Sequence, residues 1–205
     1  STPGAKIKGI IWNQGEGDNN EASGSQYLER LNKLVTDLRT DLGDQNIPFI
    51  AGEVGKWNNR GLFVNPEIRK IKNSISNSDW VSSDGFTSIN QTKNDPHFDI
   101  LSTRALGGRY ADKAAELIYH VKPAGITVFN DTDFKGRSVL LVEGNYSKSD
   151  LEKQGILMSE IASMKADKEY ELFLNLANAK EIMITNNSKM NLTDVQLLSV
   201  KKRKH

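Results

Sequence analysis

The chain has no cysteine, which excludes a disulfide framework, a thiolate zinc site and a cysteine nucleophile together. It has no apolar run near the roughly 18 to 20 residues that a membrane-spanning helix needs, so no membrane is expected as a partner. Neither charge sign is in excess: 27 Lys plus Arg face 26 Asp plus Glu, a net charge of +1. No overall field therefore draws nucleic acid, and none is expected as a partner. The one dense charge run, Lys201-Lys202-Arg203-Lys204, has no interleaved aromatics and reads as a solvated tail. Histidine is scarce, with three in 205 residues. The opening Ser1-Thr2-Pro3-Gly4 carries neither a methionine nor a signal peptide, and the expectation is a chain that begins inside a longer protein.

What is present suits one generous domain or two modest ones, since 37% hydrophobic content supports real cores at this length. From Lys6 to Val121 short apolar runs alternate with amphipathic stretches, which predicts βα units around a mostly parallel sheet. The pattern predicts a strand over 7–12. Ser23-Gly24-Ser25-Gln26 offers a capping box, after which Tyr27, Leu28, Leu31, Leu34, Val35 and Leu38 recur at helical spacing until Gly43. A strand over 48–52, a helix over 66–75 and a short strand over 80–82 follow. A long polar loop over 83–96 leads to His97, and a closing helix shows one face through Leu106, Tyr110, Ala114, Leu117 and Ile118. Lys122-Pro123-Ala124-Gly125 reads as a linker. Beyond it, apolar runs over 126–129, 139–142, 170–174, 181–184 and 196–200 predict a small antiparallel sandwich.

Two clusters carry chemistry. Trp12-Asn13-Gln14-Gly15-Glu16-Gly17-Asp18 follows a strand and precedes a helix, where α/β sheets place ligand-binding loops. The Gln14 side chain can donate to a developing oxyanion, Gly15 permits close backbone approach, and Glu16 or Asp18 can hold the loop in shape. A plain turn capped by Asp18 accounts for the same residues equally well. Asn94-Asp95-Pro96-His97-Phe98-Asp99 sets a carboxylate beside a histidine, the raw material of a general base. His120, just after a helix, and His205, on the basic tail, read as solvated bystanders. Trp57 and Trp80 read as packing, with sugar stacking the less common role. The sequon Asn90-Gln91-Thr92 matters only in a glycosylated, secreted setting.

Together these clusters resemble the carbohydrate acetylesterase branch of the SGNH hydrolases, which includes sialic acid and xylan O-acetylesterases. The resemblance spans about residues 7–119. Trp12 to Asp18 is similar to the branch's Trp-His-Gln-Gly-Glu-x-Asp block, with Asn13 in place of its histidine. Phe49-Ile50-Ala51-Gly52-Glu53-Val54-Gly55 is similar to its next strand and Gly-Glu turn, and His97-Phe98-Asp99 with Leu106-Gly107-Gly108-Arg109-Tyr110-Ala111 to its histidine block. The resemblance implies a secreted or extracytoplasmic enzyme that hydrolyses acetyl esters on glycans, an acetylated carbohydrate being its partner. His97 is the implied base, Asp95 the nearest acid, Gln14 the implied oxyanion donor, and Gly15 and Glu16 shape the loop. The family's nucleophilic serine belongs to an upstream Gly-Gln-Ser-Asn motif that these residues do not contain. Its acid stands three residues before the histidine, where this chain has Asn94. The chain alone is therefore expected to be inactive, to expose apolar faces of its sheet, and to be unstable or bind the absent segment.

Phe129-Asn130-Asp131-Thr132-Asp133-Phe134-Lys135-Gly136-Arg137, with Gly144-Asn145-Tyr146 and Ile161-Ala162-Ser163-Met164-Lys165, resembles the βγ-crystallin Greek-key motif, and 170–201 a second, more degenerate copy. The resemblance implies calcium positions at Ser159, Glu160, Thr193 and Asp194, but Ala162 and Gln196 stand where hydroxyl ligands belong, so calcium binding is expected to be weak or absent. No other cofactor is implied. The reading is thus an incomplete flavodoxin-like SGNH core over 1–122, an α/β parallel sheet with flanking helices, followed by an all-β Greek-key βγ-crystallin-like sandwich over 125–205. The competing reading is a non-catalytic glycan-binding, calcium-binding or structural protein.

Overall fold

The computed structural model describes residues 4–89, 94–177, 181–184, 188–190, 192 and 194–203. Thr193, Lys204, His205 and the sequon at Asn90-Gln91-Thr92 lie outside the described residues. The chain divides into two compact units. The first comprises Ser1–Ser83, Ser88–His97 and Arg109–Lys122, and the second Asp84–Thr87, Phe98–Gly108 and Pro123–His205.

In the first unit, β1 (Ile10–Trp12), β2 (Phe49–Gly52) and β3 (Ser78–Val81) form a parallel sheet in the order β1-β2-β3. Between β1 and β2 come the single-turn α1 (Glu21–Gly24) and the long α2 (Tyr27–Asp41); α3 (Val64–Ser74) connects β2 to β3. One stripe of α2, Tyr27, Leu31 and Val35, and one of α3, Val64, Ile68 and Ile71, pack with Phe49 and Ala51 into a single core. Each such aliphatic side chain contributes about 1.5–3 kcal/mol when fully buried. Arg39 continues the α2 stripe into the core because its guanidinium donates to the carbonyls of Ile47, Ser76 and Asn77. The central strand β2 is buried at every position. On the other face of the sheet, α4 (Ile100–Tyr119) contributes Tyr110, whose hydroxyl donates to Trp12 O at 2.7 Å. Gly52 makes room for that ring, since a Cβ there would stand 2.2 Å from the phenol oxygen. Of the helix face predicted from sequence, Tyr110 is buried, while Ala114, Leu117 and Ile118 are half-buried.

Two local expectations are corrected. The strand predicted over 7–12 starts only at Ile10, and Ile7 and Ile11 are 53% and 59% exposed. Among the described residues β1 pairs with β2 alone, so one of its edges has no strand to enclose those side chains. The capping box at Ser23 does not form. Asn20, in extended conformation, accepts from Ser23 N through its own side chain at 3.0 Å and starts α1, while Gln26 precedes α2 without a side-chain cap.

The second unit holds two antiparallel four-stranded sheets. One has the order β10-β7-β4-β5 and the other β6-β11-β8-β9. The strands are β4 (Ile126–Phe129), β5 (Ser138–Leu141), β6 (Gly144–Ser147), β7 (Ser163–Ala166), β8 (Tyr170–Leu176), β9 (Glu181–Ile184), β10 (Ser188–Lys189) and β11 (Val195–Lys202). Alternate residues turn inward, as Ile126 and Val128, Val139 and Leu141, Leu172 and Leu174, and Leu198 and Val200 show. The sequence reading has only strands here, but α5 (Lys148–Gln154) lies among them. It starts on a reciprocal box between Ser147 and Asp150 and ends at Gly155 in the left-handed conformation. The unit also draws in 84–87 and 98–108. A Cβ on Gly85 (φ +77) would fall 1.8 Å from the Gly136 carbonyl carbon, so the two segments meet backbone to backbone.

Candidate active site

The loop after β1 is shaped by a position only glycine can fill. Gly15 is buried with φ +147, and a Cβ there would lie 2.6 Å from Val64 Cγ1. Tyr27 of α2 fixes the residue before it: its hydroxyl donates to Gln14 O at 2.6 Å and accepts from Trp12 Nε1 at 3.3 Å. Burial pushes that phenol up to about 12, with the charges of Asp18 and Glu16 adding to the effect and the Trp12 bond opposing it. It stays a donor throughout the ordinary pH range. Glu16 Oε2 accepts from Gly15 N at 3.0 Å, and the Gln14 side-chain Nε2 reaches Asp18 Oδ2 at 3.4 Å. The Asp18 carboxylate thus turns to Gln14 and to Arg30, at 3.6 Å, while capping falls to Asn20.

The second cluster is a carboxylate–imidazole pair. Asp95 Oδ1 accepts from His97 N at 2.9 Å and stands 2.8 Å from His97 Nδ1. Its carboxyl is held below the usual carboxylate range, first by the His97 backbone N–H, then by the imidazole bond, with the charges of His97 and Arg60 contributing. With Nδ1 engaged, Nε2 is the nitrogen left to exchange protons. The His97 side chain is 78% exposed. Asn94 offers only its backbone carbonyl, which accepts from Arg60 Nη2. Asp99 caps α4 by accepting from Ser102 N at 2.7 Å.

The segment after β2 ties both clusters down. Trp57 Nε1 donates to Asp95 O at 2.8 Å, and Arg60 holds the neighbouring carbonyl of Asn94. The Trp57 ring lies against Gly55, where a Cβ would stand 2.4 Å from its edge. From the other side, Asn19 Nδ2 donates to Asn59 O and Asn19 Oδ1 accepts from Phe63 N, both at 3.0 Å. The Gln14 loop, the 57–63 segment and the His97 loop therefore form one bonded rim. The first two spring directly from the carboxyl ends of β1 and β2, the usual place for ligand sites in such sheets.

Below the rim sits Glu53, wholly buried. Arg69 Nε and Nη2 both reach its Oε1 at 2.6 Å; Lys56 Nζ reaches Oε2 at 2.6 Å, and Ser83 N and Ser82 Oγ reach Oε2 at 3.0 and 3.2 Å. A buried carboxylate with this many donors is compensated rather than stranded. Beside it, Asn65 bonds both the N–H and the carbonyl of Val54. Sequence reading includes Glu53 only as part of a Gly-Glu turn. Its clamping role is invisible there because its partners lie up to 30 residues away.

The implied calcium positions do not fit the ion. Ser159 and Glu160 lie in one 3-10 turn, and the Glu160 carboxylate is taken by Arg137 Nη2 at 2.5 Å, a side chain only 5% exposed. Ala162 and Gln196 supply no hydroxyl. Among the described residues no group of three or more His, Asp or Glu side chains is placed to hold a metal.

The geometry is that of an α/β protein with a carboxylate–histidine pair and an amide-bearing loop on one rim. Residues 1–116 match the family model for carbohydrate esterase, sialic acid-specific acetylesterase. That match takes in more than half of the chain, which belongs to this family. Among solved structures, the N-terminal domain of Protein S is similar at 28% identity, over 40% of this chain and 100% of that one, with a TM-score of 0.35. A βγ-crystallin domain from Flavobacterium johnsoniae shows 26% identity over 39% of this chain and 97% of its own, TM-score 0.35. Hahellin, a βγ-crystallin, shows 25% identity over 40% and 96%, TM-score 0.36. No curated protein matches the chain.

Proposed function

We propose that the first module, over 1–122, is the carboxy-terminal part of an SGNH carbohydrate O-acetylesterase, and that 125–205 is a Greek-key accessory sandwich. The observation that carries the reading is the 2.8 Å approach of Asp95 Oδ1 to His97 Nδ1, which leaves Nε2 as the base. The nucleophile is a serine in an upstream Gly-Gln-Ser-Asn motif, a sequence that the 205 residues do not contain. His97 Nε2 takes the serine proton as Oγ attacks the acetyl carbonyl, and the Gln14 amide donates to the resulting oxyanion. The imidazolium, stabilised by Asp95, then protonates the departing sugar oxygen, and water repeats the sequence to release acetate. Such a protein acts on glycans outside the cytoplasm.

The test is acetate release from a chromogenic acetyl ester, measured for this chain and for one extended by the upstream segment. Hydrolysis by the extended protein that disappears with His97→Ala supports the reading. His97-dependent hydrolysis by the 205 residues alone overturns the upstream serine.

A further inference from the structure

The second unit is not assembled from sandwich strands alone. It includes 84–87 and 98–108, the two stretches of chain that enter and leave Ser88–His97. A sandwich joined only through Lys122-Pro123-Ala124-Gly125 would leave both stretches to the first unit. Within the second unit they form a stem. Asp99 N donates to Thr87 O at 2.9 Å, and Thr87 N donates to Ser102 Oγ at 2.9 Å. The Thr87 hydroxyl donates to Asp99 Oδ2 while Asp99 Oδ1 accepts from Ser102 N, and Phe86 meets Phe98 edge to face at 5.5 Å. One carboxylate thus closes the stem and caps α4.

Residues of the sandwich fasten this stem and the first turns of α4. Gly85 meets Gly136 backbone to backbone. Gly155, at the end of α5 with φ +100, lies so close to α4 that a Cβ would stand 2.4 Å from Ala105 N and 2.5 Å from Leu101 O. Arg104 Nη1 donates to Glu152 O at 3.1 Å and reaches the carboxylate of the same residue at 3.4 Å. Burial works against it, yet the Asp99 carboxyl sits below the usual carboxylate range, held there by the Thr87 hydroxyl, by Ser102 and last by the charge of the buried Arg137.

We infer that the sandwich is a positioning element for His97: Gly155, Arg104 and Arg137 fix the Thr87–Asp99 stem and the start of α4, and through them the approach of His97 to Asp95. His97 stands two residues before Asp99, and its carbonyl accepts from Ile89 N at 2.9 Å, the next rung beyond the stem. Its side chain is largely open to solvent and has little packing of its own, so the backbone on either side sets where the imidazole lies. Catalytic geometry is intolerant of drift, since a displacement of about 1 Å can cost roughly 10²-fold in rate. The inference rests on the esterase reading for His97 being the base; the fastening of the stem does not depend on it.

The experiment compares the 205-residue chain with its Gly155→Ala and Arg104→Gln variants by amide hydrogen exchange and by ¹⁵N NMR of the His97 ring. Gly155→Ala pushes α5 away from α4; Arg104→Gln alters a partly exposed side chain and is the gentler change should the first variant misfold. The expected result is exchange faster by about tenfold or more at the Asp99 and Ile89 amides, with those of Phe49 and Ile50 in β2 unchanged. The His97 ring should at the same time lose the Nδ1-protonated tautomer that the Asp95 bond selects. A role confined to folding the sandwich would speed exchange at Val128 and Leu141 and leave Asp99 and His97 unmoved, which overturns the inference. Equal acceleration in β2 in both variants, the mark of global unfolding, also overturns it. In the extended protein Gly155→Ala should lower kcat by about 10- to 100-fold with KM little changed, and an unchanged kcat refutes the positioning role. An extended protein that lacks esterase activity, while its stem and His97 ring still respond to the variants, would sink the proposed function and leave the link between the sandwich and His97 standing.

Discussion

His97 and Asp95 are bonded twice over, through backbone N–H to carboxylate at 2.9 Å and ring Nδ1 to the same oxygen at 2.8 Å. A spacing of two residues therefore gives an acid–base contact, because the turn directs one carboxylate oxygen at both donors. In the extended esterase, Asp95→Ala should lower kcat by about 10²- to 10⁴-fold, the usual weight of a positioned acid–base partner. Thermal stability should change little, since the pair is open to solvent. A loss of folding in place of activity would refute the assignment.

The depressed carboxyl of Asp95 has a pH signature. A group whose pKa is lowered on folding keeps its interactions above the ordinary value, about 3.9, and loses them as pH falls through its own lower value. The ¹³C carboxyl resonance of Asp95 should therefore titrate below that value, and Arg60→Gln should move the midpoint upward. A midpoint at or above 3.9 in the unaltered chain would contradict the bonded pair.

Glu53 is the costliest side chain to remove from the rim. Glu53→Ala leaves Arg69 and Lys56 without their buried counter-ion and Ser83 N without its acceptor, and breaking a buried pair costs about 3–5 kcal/mol. Urea denaturation should show the first unit losing that much. A change under about 1 kcal/mol would mean that water or other groups replace the carboxylate.

Gly15→Ala should destabilise by about 1–3 kcal/mol, because the added methyl meets Val64 and the backbone lies where L side chains are strained. The shift passes directly to Gln14, so esterase activity of the extended protein should fall further than stability does. Parallel measurements of melting and kcat check this.

Tyr27 links stability to alkaline pH. Its phenol is raised on folding, so its contribution is complete below pH 10 and disappears as pH rises from there through about 12. Melting temperature should fall over that window, and Tyr27→Phe should flatten this part of the curve while costing about 0.5–1.5 kcal/mol at neutral pH for the lost bond to Gln14 O.

Periodicity made much of the architecture legible. Tyr27, Leu31 and Val35 at helical spacing, the apolar run of β2, and the alternation in β4 and β5 each carry their burial in their own pattern. The start of β1 is not legible in the sequence because Ile7 and Ile11 are as apolar as core residues, and whether an edge is covered is not written in one strand. The cap at Asn20 does not stand out in the sequence because Ser23 offers the same local signal. The short α5 is capped by Ser147 and Asp150 but has too few turns for its apolar period to show.

By itself the sequence determined the residue types of the candidate site: a glycine at 15, the amide at 14 and a carboxylate two residues before His97. It also determined where helices and strands alternate, since local backbone preference and apolar period act over a few residues. The tertiary structure alone decided what holds those residues in place. Glu53 gathers Lys56, Arg69, Ser82 and Ser83, Asn19 reaches the 57–63 segment, Trp57 and Arg60 hold Asp95 and Asn94, and Arg137 takes the carboxylate of Glu160. Most of these contacts join residues 16 to 44 positions apart. Charge and hydrogen bonding act through space, so pairings at that separation leave no period in the chain from which to read them.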